Sequence, residues 1–231
     1  MAMGLDQVRT DGISELFVTP LFRRLYPGAA ALNRRLGEIV LERERTAPAH
    51  NRSNVGGWQS ERDLLEWPHP ELATLRDWVV GALKEVTRYS LGGRPLKIGG
   101  SLQVMAWANV LRRGNYNRVH NHPGRSWSAV YYVTLGGEPM SDADGLIELV
   151  DPRGAANMVA TLGRPFDQKV RLRPRAGEMI LFPSWLQHYV NPYEGNDVRI
   201  SIALNISTQN LRLEEAPAAA PGETPGAAPI Q

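Results

Sequence analysis

The most informative run in the chain is Asn117-Arg-Val-His-Asn-His-Pro-Gly-Arg-Ser-Trp-Ser-Ala-Val-Tyr-Tyr-Val133. Its second half is rich in β-branched and aromatic residues, a composition typical of a strand. His120 and His122 stand two residues apart, and residues at that spacing point to the same face of a strand. If the strand begins near residue 118, both imidazoles project together and supply half of a metal site.

A third histidine stands in a similar setting. His188 closes the run Met179-Ile-Leu-Phe-Pro-Ser-Trp-Leu-Gln-His188, so three of the chain's five histidines fall in apolar, strand-prone segments. Metal-binding histidines are neutral and are aimed at one point. A lone histidine among apolar residues is usually a hydrogen-bonded core residue. A same-face pair together with a third histidine favours a metal site instead.

Length and composition favour a single soluble domain. The chain has 231 residues, a length common for one barrel or sandwich with an ample core. Its formal charge is only +2, and no basic stripe is interleaved with aromatic residues, so no nucleic-acid partner is expected. The absence of cysteine excludes disulfides and thiolate metal sites. With no apolar leader or spanning run, we expect no membrane association and a cytoplasmic location.

Helical patterns precede the strand-like runs. Apolar residues recur at helical spacing over residues 29–44 and 70–90, and residues 16–22 are typical of an edge strand because Pro20 cannot occupy a central one. Many short strands follow, which predicts a sandwich or barrel. Helices ahead of the strands predict an α+β, mainly β fold with the helices packed on one face. The predicted strands are residues 96–98, 102–111, 127–135, 146–150, 170–172, 179–183, 187–190 and 198–206.

The domain organisation follows from this order. We predict one domain over residues 1–212, with a helical part at 1–95 and a β core at 96–212. Residues 213–231 are rich in proline and alanine, and we expect a disordered tail there. The irregular segments 46–69 and 152–168 are candidate lids over the site.

An arginine and a serine beyond His188 are candidates for binding an anion. Arg199 and Ser201 would share one face of a strand, and with the right register they would face the barrel interior. A buried arginine is costly without an anion, and its guanidinium binds a carboxylate through two hydrogen bonds. An ion pair with Glu178 or Asp197, or a surface position, would also explain Arg199.

Four motifs follow one another along the chain. They are His120-x-His122, Trp127-Ser-Ala-Val-Tyr-Tyr-Val, Gly177-Glu-Met-Ile-Leu-Phe-Pro-Ser-Trp-Leu-Gln-His and Arg199-Ile-Ser. In this order they resemble the Fe(II)/2-oxoglutarate-dependent oxygenases, above all the group called "putative 2OG-Fe(II) oxygenases". The similarity runs from about residue 54 to residue 207 and includes Asn54-Val-Gly-Gly-Trp-Gln-Ser.

The resemblance implies a double-stranded β-helix, the jelly-roll or cupin-like barrel, with an iron site. By that analogy His120 and His188 are iron ligands. The cosubstrate 2-oxoglutarate would chelate the iron, and O2 would take the remaining position. The far carboxylate of 2-oxoglutarate would pair with Arg199 and Ser201, helped by Tyr131 or Tyr132. The two tyrosines alternate faces, so only one of them can line the cavity.

His122 departs from the wider superfamily, which has aspartate or glutamate at this position. A third neutral imidazole makes the centre one charge more positive. Three interpretations remain open. The favoured one is that His122 ligates the metal. In the second, water or chloride fills the position, an arrangement associated with halogenation in other members. In the third, Asp142, Asp144 or Asp151 supplies a carboxylate.

The predicted function is that of an oxidoreductase, an Fe(II)- and 2-oxoglutarate-dependent dioxygenase. It would hydroxylate an unactivated C–H bond of a small metabolite, amino-acid derivative or peptide and release succinate and CO2. By analogy with other members of the superfamily, we expect a homodimer. The main alternative is a cupin-type three-histidine dioxygenase, isomerase or binding protein that does not use 2-oxoglutarate. That alternative lacks a glutamate at cupin spacing after His122 and leaves Arg199 and Ser201 unexplained. A third hypothesis is a non-catalytic barrel that binds a partner.

Overall fold

The secondary structure consists mainly of short strands behind two helices. The structure, a computed structural model, describes residues 11–13, 15–93, 97–155, 158 and 168–214. A short 3-10 helix, Leu64–Glu66, precedes the second α-helix. The other elements in chain order are β1 Phe22–Leu25, α1 Ala30–Thr46, β2 Asn54–Val55, β3 Trp58–Gln59, α2 Glu71–Ser90, β4 Lys97–Gly100, β5 Gln103–Leu111, β6 Tyr116–His120, β7 Trp127–Thr134, β8 Ile147–Val150, β9 Lys169–Leu172, β10 Glu178–Pro183, β11 His188–Val190, β12 Arg199–Ser207 and β13 Leu211–Glu214.

Two antiparallel sheets form the β core. The larger has the strand order β1-β10-β7-β12-β5-β3, and the smaller has the order β2-β6-β11-β8-β9. From β5 to β12 the chain passes repeatedly from one sheet to the other, which is the connectivity of a double-stranded β-helix. The fold class predicted from the sequence is confirmed.

The two helices cover the outer face of the larger sheet. Strand side chains alternate between faces, and on β7 the outer set is Ala129, Tyr131 and Val133, which pack in the same buried cluster as the apolar sides of α1 and α2. Leu36 of α1 and Leu75 of α2 are fully buried there. Burying each such side chain contributes about 1.5–3 kcal/mol, so this helix–sheet layer fixes which residues of the larger sheet face inward.

A smaller apolar cluster lies between the two sheets. Tyr132, Ile180 and Phe182 come from the larger sheet and pack with Ile147 and Leu149 of the smaller one. The polar inward-facing residues of β12, which include Arg199, Ser201 and Asn205, are also buried. The inter-sheet space is therefore part apolar core and part polar cavity.

The predicted elements agree with the structure, with one displaced strand and several that were missed. Both helices and all eight strands predicted from residue 96 onward are present, with bounds that differ by at most two residues. The edge strand predicted at residues 16–22 is instead Phe22–Leu25, and it does lie at a sheet edge. The sequence pattern missed β2, β3, β6 and β13.

The setting of the first two histidines differs from the expectation. His120 is the last residue of β6, and His122 lies in the loop that leads to β7. The two residues therefore do not share a strand, because the turn sequence Pro123-Gly124 ends the extended segment. Their imidazoles meet by loop geometry and not by strand alternation.

The chain's end is partly described. β13 pairs with β4, so residues 213 and 214, which were assigned to the predicted tail, belong to a strand. The rest of that tail, residues 215–231, lies outside the described residues, as do residues 156–157 and 159–167 of the second candidate lid. In the described part of the chain, no helix is both long and apolar enough to cross a bilayer.

Tyr131 should support the helix–sheet contact through its hydroxyl. That hydroxyl donates to Oδ1 of Asn33 on α1 at 2.5 Å, and the side chain is fully buried. We expect Tyr131→Phe to lower the free energy of unfolding in urea by about 1 kcal/mol, the net value of one such bond. Tyr132→Phe is the matched control, since the Tyr132 hydroxyl has no partner among the described residues. Equal losses in both variants would contradict this assignment.

Candidate metal centre

Three histidines meet at one end of the cavity between the sheets. β11 pairs with β6 so that His188 stands opposite His120, and the loop after β6 brings in His122. The ring centroids are 4.3 Å apart for His120 and His188, 5.0 Å for His120 and His122, and 5.3 Å for His122 and His188. One nitrogen from each ring lies within 4.8 Å of the other two. Small side-chain rotations would let one ion contact all three.

The backbone sets the tautomer of two of these histidines. Nδ1 of His120 lies 2.7 Å from the carbonyl oxygen of Arg118, and Nδ1 of His188 lies 2.9 Å from that of Leu186. A carbonyl can only accept, so both Nδ1 atoms carry the proton. The Nε2 lone pairs are therefore free to bind a metal, and each backbone bond fixes its ring orientation.

A buried polar network supports the third histidine. Nδ2 of Asn205 lies 3.3 Å from Nδ1 of His122, and Oδ1 of Asn205 accepts from the Ser128 hydroxyl at 3.2 Å. Ser128 in turn lies 3.0 Å from the hydroxyl of Ser184. If the Asn205 amide is turned by half a rotation, its Oδ1 accepts a hydrogen bond from Nδ1–H of His122, and its Nδ2 donates to the Ser128 hydroxyl. The network is thus compatible with the His122 tautomer that carries its proton on Nδ1 and leaves Nε2 free to bind a metal.

The three imidazoles are neutral at pH 7. Burial, followed by the charge of His120, lowers the pKa of His188 to about 3. Burial lowers the pKa of His122 to about 4, with smaller contributions from His120 and Arg62, and burial also lowers the pKa of His120. A proton therefore does not compete with a metal at neutral pH.

No carboxylate joins the three histidines within the described ranges of the chain. The carboxylate of Asp144 accepts the backbone N–H groups of Met140 and Glu194. Asp151 is paired with Arg153, and Asp142 is exposed. The geometry thus favours the three-imidazole arrangement over one completed by these aspartates. Such a donor set suits iron, zinc, copper or nickel and not magnesium or calcium.

Arg199 lies in the same cavity and has no carboxylate partner among the residues that the structure describes. It is 3% exposed, and its Nη2 donates to the carbonyl oxygen of Gly145 at 2.9 Å. No ion pair forms with Glu178, which instead accepts from Arg23 and from the backbone N–H of Arg175. Among the described residues Arg199 forms no ion pair with Glu178 or Asp197, and it does not lie at the surface, so none of the three structural explanations for Arg199 applies.

Two further donors stand beside Arg199. Ser201 lies two residues along β12 and directly opposite Tyr132 of β7. The Tyr132 hydroxyl is buried and has no hydrogen-bond partner among the described residues. Burial raises the pKa of Tyr132 to about 12, so the phenol stays protonated and can donate. The Tyr132 hydroxyl and the Arg199 guanidinium, which lies 5.5 Å above the Tyr132 ring and has no carboxylate partner among the described residues, together fit a carboxylate ligand.

The inward face of β12 runs from Arg199 and Ser201 towards the three histidines. Arg199, Ser201, Ala203 and Asn205 follow one another on that face, and all but Asn205 line the cavity together with the three histidines. Strands rise about 3.3 Å per residue, so the Cα atoms of Ser201 and Asn205 are roughly 13 Å apart. The small Ala203 side chain leaves room between them.

Most of the predicted site residues are brought together. The three histidines, Arg199, Ser201 and Tyr132 line one cavity, while Tyr131 lies on the opposite face of β7 and bonds to Asn33. The expectation that either tyrosine could serve is thereby corrected in favour of Tyr132. Sequence reasoning missed Asn205, although its position two and four residues beyond Ala203 and Ser201 places it on the same strand face.

Comparison with known proteins agrees with this geometry. Residues 105–205 match the sequence profile of the family described as "Putative 2OG-Fe(II) oxygenase". That segment contains every cavity residue named above. The resemblance seen in the motifs is confirmed. Over that segment the chain is similar to the 2-oxoglutarate-dependent oxygenases, which are oxidoreductases. No match was found among curated proteins.

Solved structures with the same fold belong to this class. A prolyl-4-hydroxylase from Pseudomonas putida is 18% identical, with a TM-score of 0.55 and coverage of 81% of this chain and 91% of that one. A prolyl hydroxylase from Trichoplax adhaerens, in complex with a hypoxia-inducible-factor peptide, is 14% identical, with a TM-score of 0.56 and coverages of 81% and 83%. HygX from Streptomyces hygroscopicus, with nickel and 2-oxoglutarate bound, is 13% identical, with a TM-score of 0.52 and coverages of 82% and 83%. At these identities the likeness establishes the double-stranded β-helix fold.

Asn205 should hold His122 in its metal-binding orientation. We expect Asn205→Ala to weaken Co(II) binding about tenfold, the usual effect of removing a residue that orients a metal-binding histidine. The measurement is a titration followed by the visible absorption of Co(II). Asn109→Ala is the matched control, because Asn109 lines the same cavity and makes no hydrogen bond to a histidine in the described part of the chain. Wild-type affinity in Asn205→Ala would show that the contact has no role.

Proposed function

We propose that this chain is an Fe(II)- and 2-oxoglutarate-dependent dioxygenase that hydroxylates an unactivated C–H bond and releases succinate and CO2. The observation that carries the proposal is Arg199, a buried guanidinium in the cavity that holds three neutral histidines. In the described part of the chain it has no carboxylate partner. A buried charge left unpaired costs several kcal/mol. A dicarboxylate that reaches from the histidines to Arg199 removes that cost.

The metal would be held by Nε2 of His120, His122 and His188. Three protein ligands on one side leave positions open for other molecules. Bound iron supplies the redox chemistry and the O2 binding site. The chain supplies neutral ligands with fixed tautomers, so metal binding at pH 7 does not have to displace protons. The nickel and 2-oxoglutarate bound in HygX support this choice of metal and cosubstrate.

The cosubstrate 2-oxoglutarate would lie along the inward face of β12. Its distal carboxylate would accept hydrogen bonds from the Arg199 guanidinium, the Ser201 hydroxyl and the Tyr132 hydroxyl. Its other end would reach the histidines across the space beside Ala203. The inter-sheet apolar cluster around Phe182 excludes water from one side, which strengthens the ion pair with Arg199.

The cupin alternative explains less of the cavity. A three-histidine enzyme without 2-oxoglutarate would use His120, His122 and His188 equally well. It would leave the buried charge of Arg199 without a carboxylate partner among the described residues, and an uncompensated buried charge costs several kcal/mol. Substrates from the classes of the structural neighbours, peptides and small metabolites, are both compatible with the proposal.

The proposal is tested by anaerobic addition of Fe(II) and 2-oxoglutarate. We expect a weak visible charge-transfer band from the chelate, which neither a cupin nor an inert barrel would give. Arg199→Ala should retain iron and weaken 2-oxoglutarate binding about 100-fold, because two charge-assisted hydrogen bonds are lost. Tyr132→Phe should weaken it about tenfold.

Arg171→Ala is the matched control for these variants. Arg171 is an exposed arginine of β9 that lies 3.7 Å from Glu148 and does not line the cavity. The affinity of the Arg171→Ala variant for 2-oxoglutarate should equal that of the wild type. Iron binding by the wild type without any charge-transfer band would contradict the proposed function and favour the cupin alternative.

A further inference from the structure

A second arginine, Arg62, lies near His122 and has no role in the metal and 2-oxoglutarate sites proposed above. Arg62 precedes the 3-10 helix Leu64–Glu66, within the segment expected to act as a lid. Its Nε is buried and has no hydrogen-bond partner among the described residues. It also makes no ion pair with any carboxylate in the described ranges. Such a guanidinium retains its full capacity to bind an anion.

Trp107 connects Arg62 to the candidate metal centre. The guanidinium carbon of Arg62 lies 5.3 Å from the centroid of the Trp107 ring, a cation–π contact. The same ring has its centroid 5.7 Å from that of His122. Trp107 is 5% exposed and lines the cavity, so it is a rigid support that holds the charge of Arg62 one ring away from His122.

Arg52 and Arg125 lie near enough to Arg62 for their charges to act on it, and none of the three arginines forms an ion pair with a carboxylate of the described residues. Burial lowers the pKa of Arg62 most, and the charges of Arg52 and Arg125 lower it further. Arg125 donates from Nη1 to Ser207 at 3.1 Å, which leaves its other N–H groups available.

The neighbouring acids are used elsewhere. Oε1 of Glu61 lies 3.2 Å from Nε2 of His50. Asp63 lies 3.8 Å from Arg43 and accepts from the indole N–H of Trp67 at 3.0 Å. Like charges held together beside a cavity attract an anion. The trio Arg52, Arg62 and Arg125 therefore has the composition of an anion site.

We propose that Arg62, with Arg52 and Arg125, binds an acidic group of the substrate, a carboxylate or a phosphate, next to His122. The inference rests on the proposed function, because it treats the group bound beside the metal as substrate. The bond to be oxidised would then lie within a few atoms of that acidic group. Substrates with a free acid would be accepted and their neutral amides or esters rejected.

The acidic group is not the distal carboxylate of 2-oxoglutarate. That carboxylate is assigned to Arg199, whereas Arg62 contacts Trp107 of β5, which pairs with Ala203, four residues along β12 from Arg199. The His122 ring lies next to that of Trp107, and its Nδ1 lies 3.3 Å from Nδ2 of Asn205. Two separate guanidinium groups therefore serve two separate anions, one on the cosubstrate and one on the substrate.

The test uses the full chain loaded with Ni(II) and 2-oxoglutarate and titrated with inorganic phosphate or acetate at constant ionic strength. We expect saturable binding of at least one of these anions by calorimetry. Arg62→Gln should weaken that binding at least tenfold, and Arg62→Lys should restore part of it. Arg113→Gln, which changes an exposed arginine in the turn after β5, should bind like the wild type.

Several outcomes would overturn the inference. They are no saturable binding of either anion by the wild type, equal binding by Arg62→Gln, or a far stronger, steeply salt-dependent binding of a single-stranded oligonucleotide to the same residues. The charge-transfer band with Fe(II) and 2-oxoglutarate is measured on each variant. If Arg62→Gln keeps that band, the variant is folded and its loss of phosphate or acetate binding is specific.

The same band separates this inference from the proposed function. A wild-type chain that gives the band but binds no phosphate or acetate retains its oxygenase assignment and loses the acidic-substrate assignment. A chain that binds these anions through Arg62 but gives no band loses the oxygenase assignment, and the arginines are then an anion site of another kind.

Discussion

Antiparallel pairing of β6 with β11 sets His120 opposite His188, and the metal centre cannot form without that register. Side chains alternate along a strand, so a slip of one residue would turn His188 outward and Tyr189 inward. Neighbouring pairs enforce the register. Leu149 of β8 stands on the other side of His188 and packs in the apolar cluster between the sheets. The hydrophobic core therefore selects the alignment that assembles the polar site.

β12 carries the rest of the site along one inward face. Asn205 contacts His122 at one end, and Arg199 lies buried at the other. The outward residues of the same strand, among them Ile202 and Ile206, pack under the helices. The outward residues of β12 thus pack in the core, while its inward residues set the distance between the metal centre and the proposed carboxylate site. The irregular pairing with β7 at Ile200 and Ser201 is of the kind that re-aims side chains next to active sites.

The sequence predicted the fold class and most of the site, because both depend on local patterns. Strand alternation alone placed Arg199 and Ser201 on one face. It could not choose between Tyr131 and Tyr132, since alternation does not say which face the helices cover. Two histidines at strand spacing led to the expectation of a shared strand, yet β6 ends at His120 and a loop carries His122. The contact of Arg62 with Trp107 depends on tertiary packing of a loop, which no local pattern encodes.

X-ray absorption spectroscopy of the Co(II)-loaded protein tests the central claim of a three-imidazole metal centre most directly. The scattering pattern of imidazole rings counts the histidines bound to the metal. The account predicts three imidazoles in the wild type and two in His122→Ala. Two imidazoles in the wild type, with no change in His122→Ala, would contradict it.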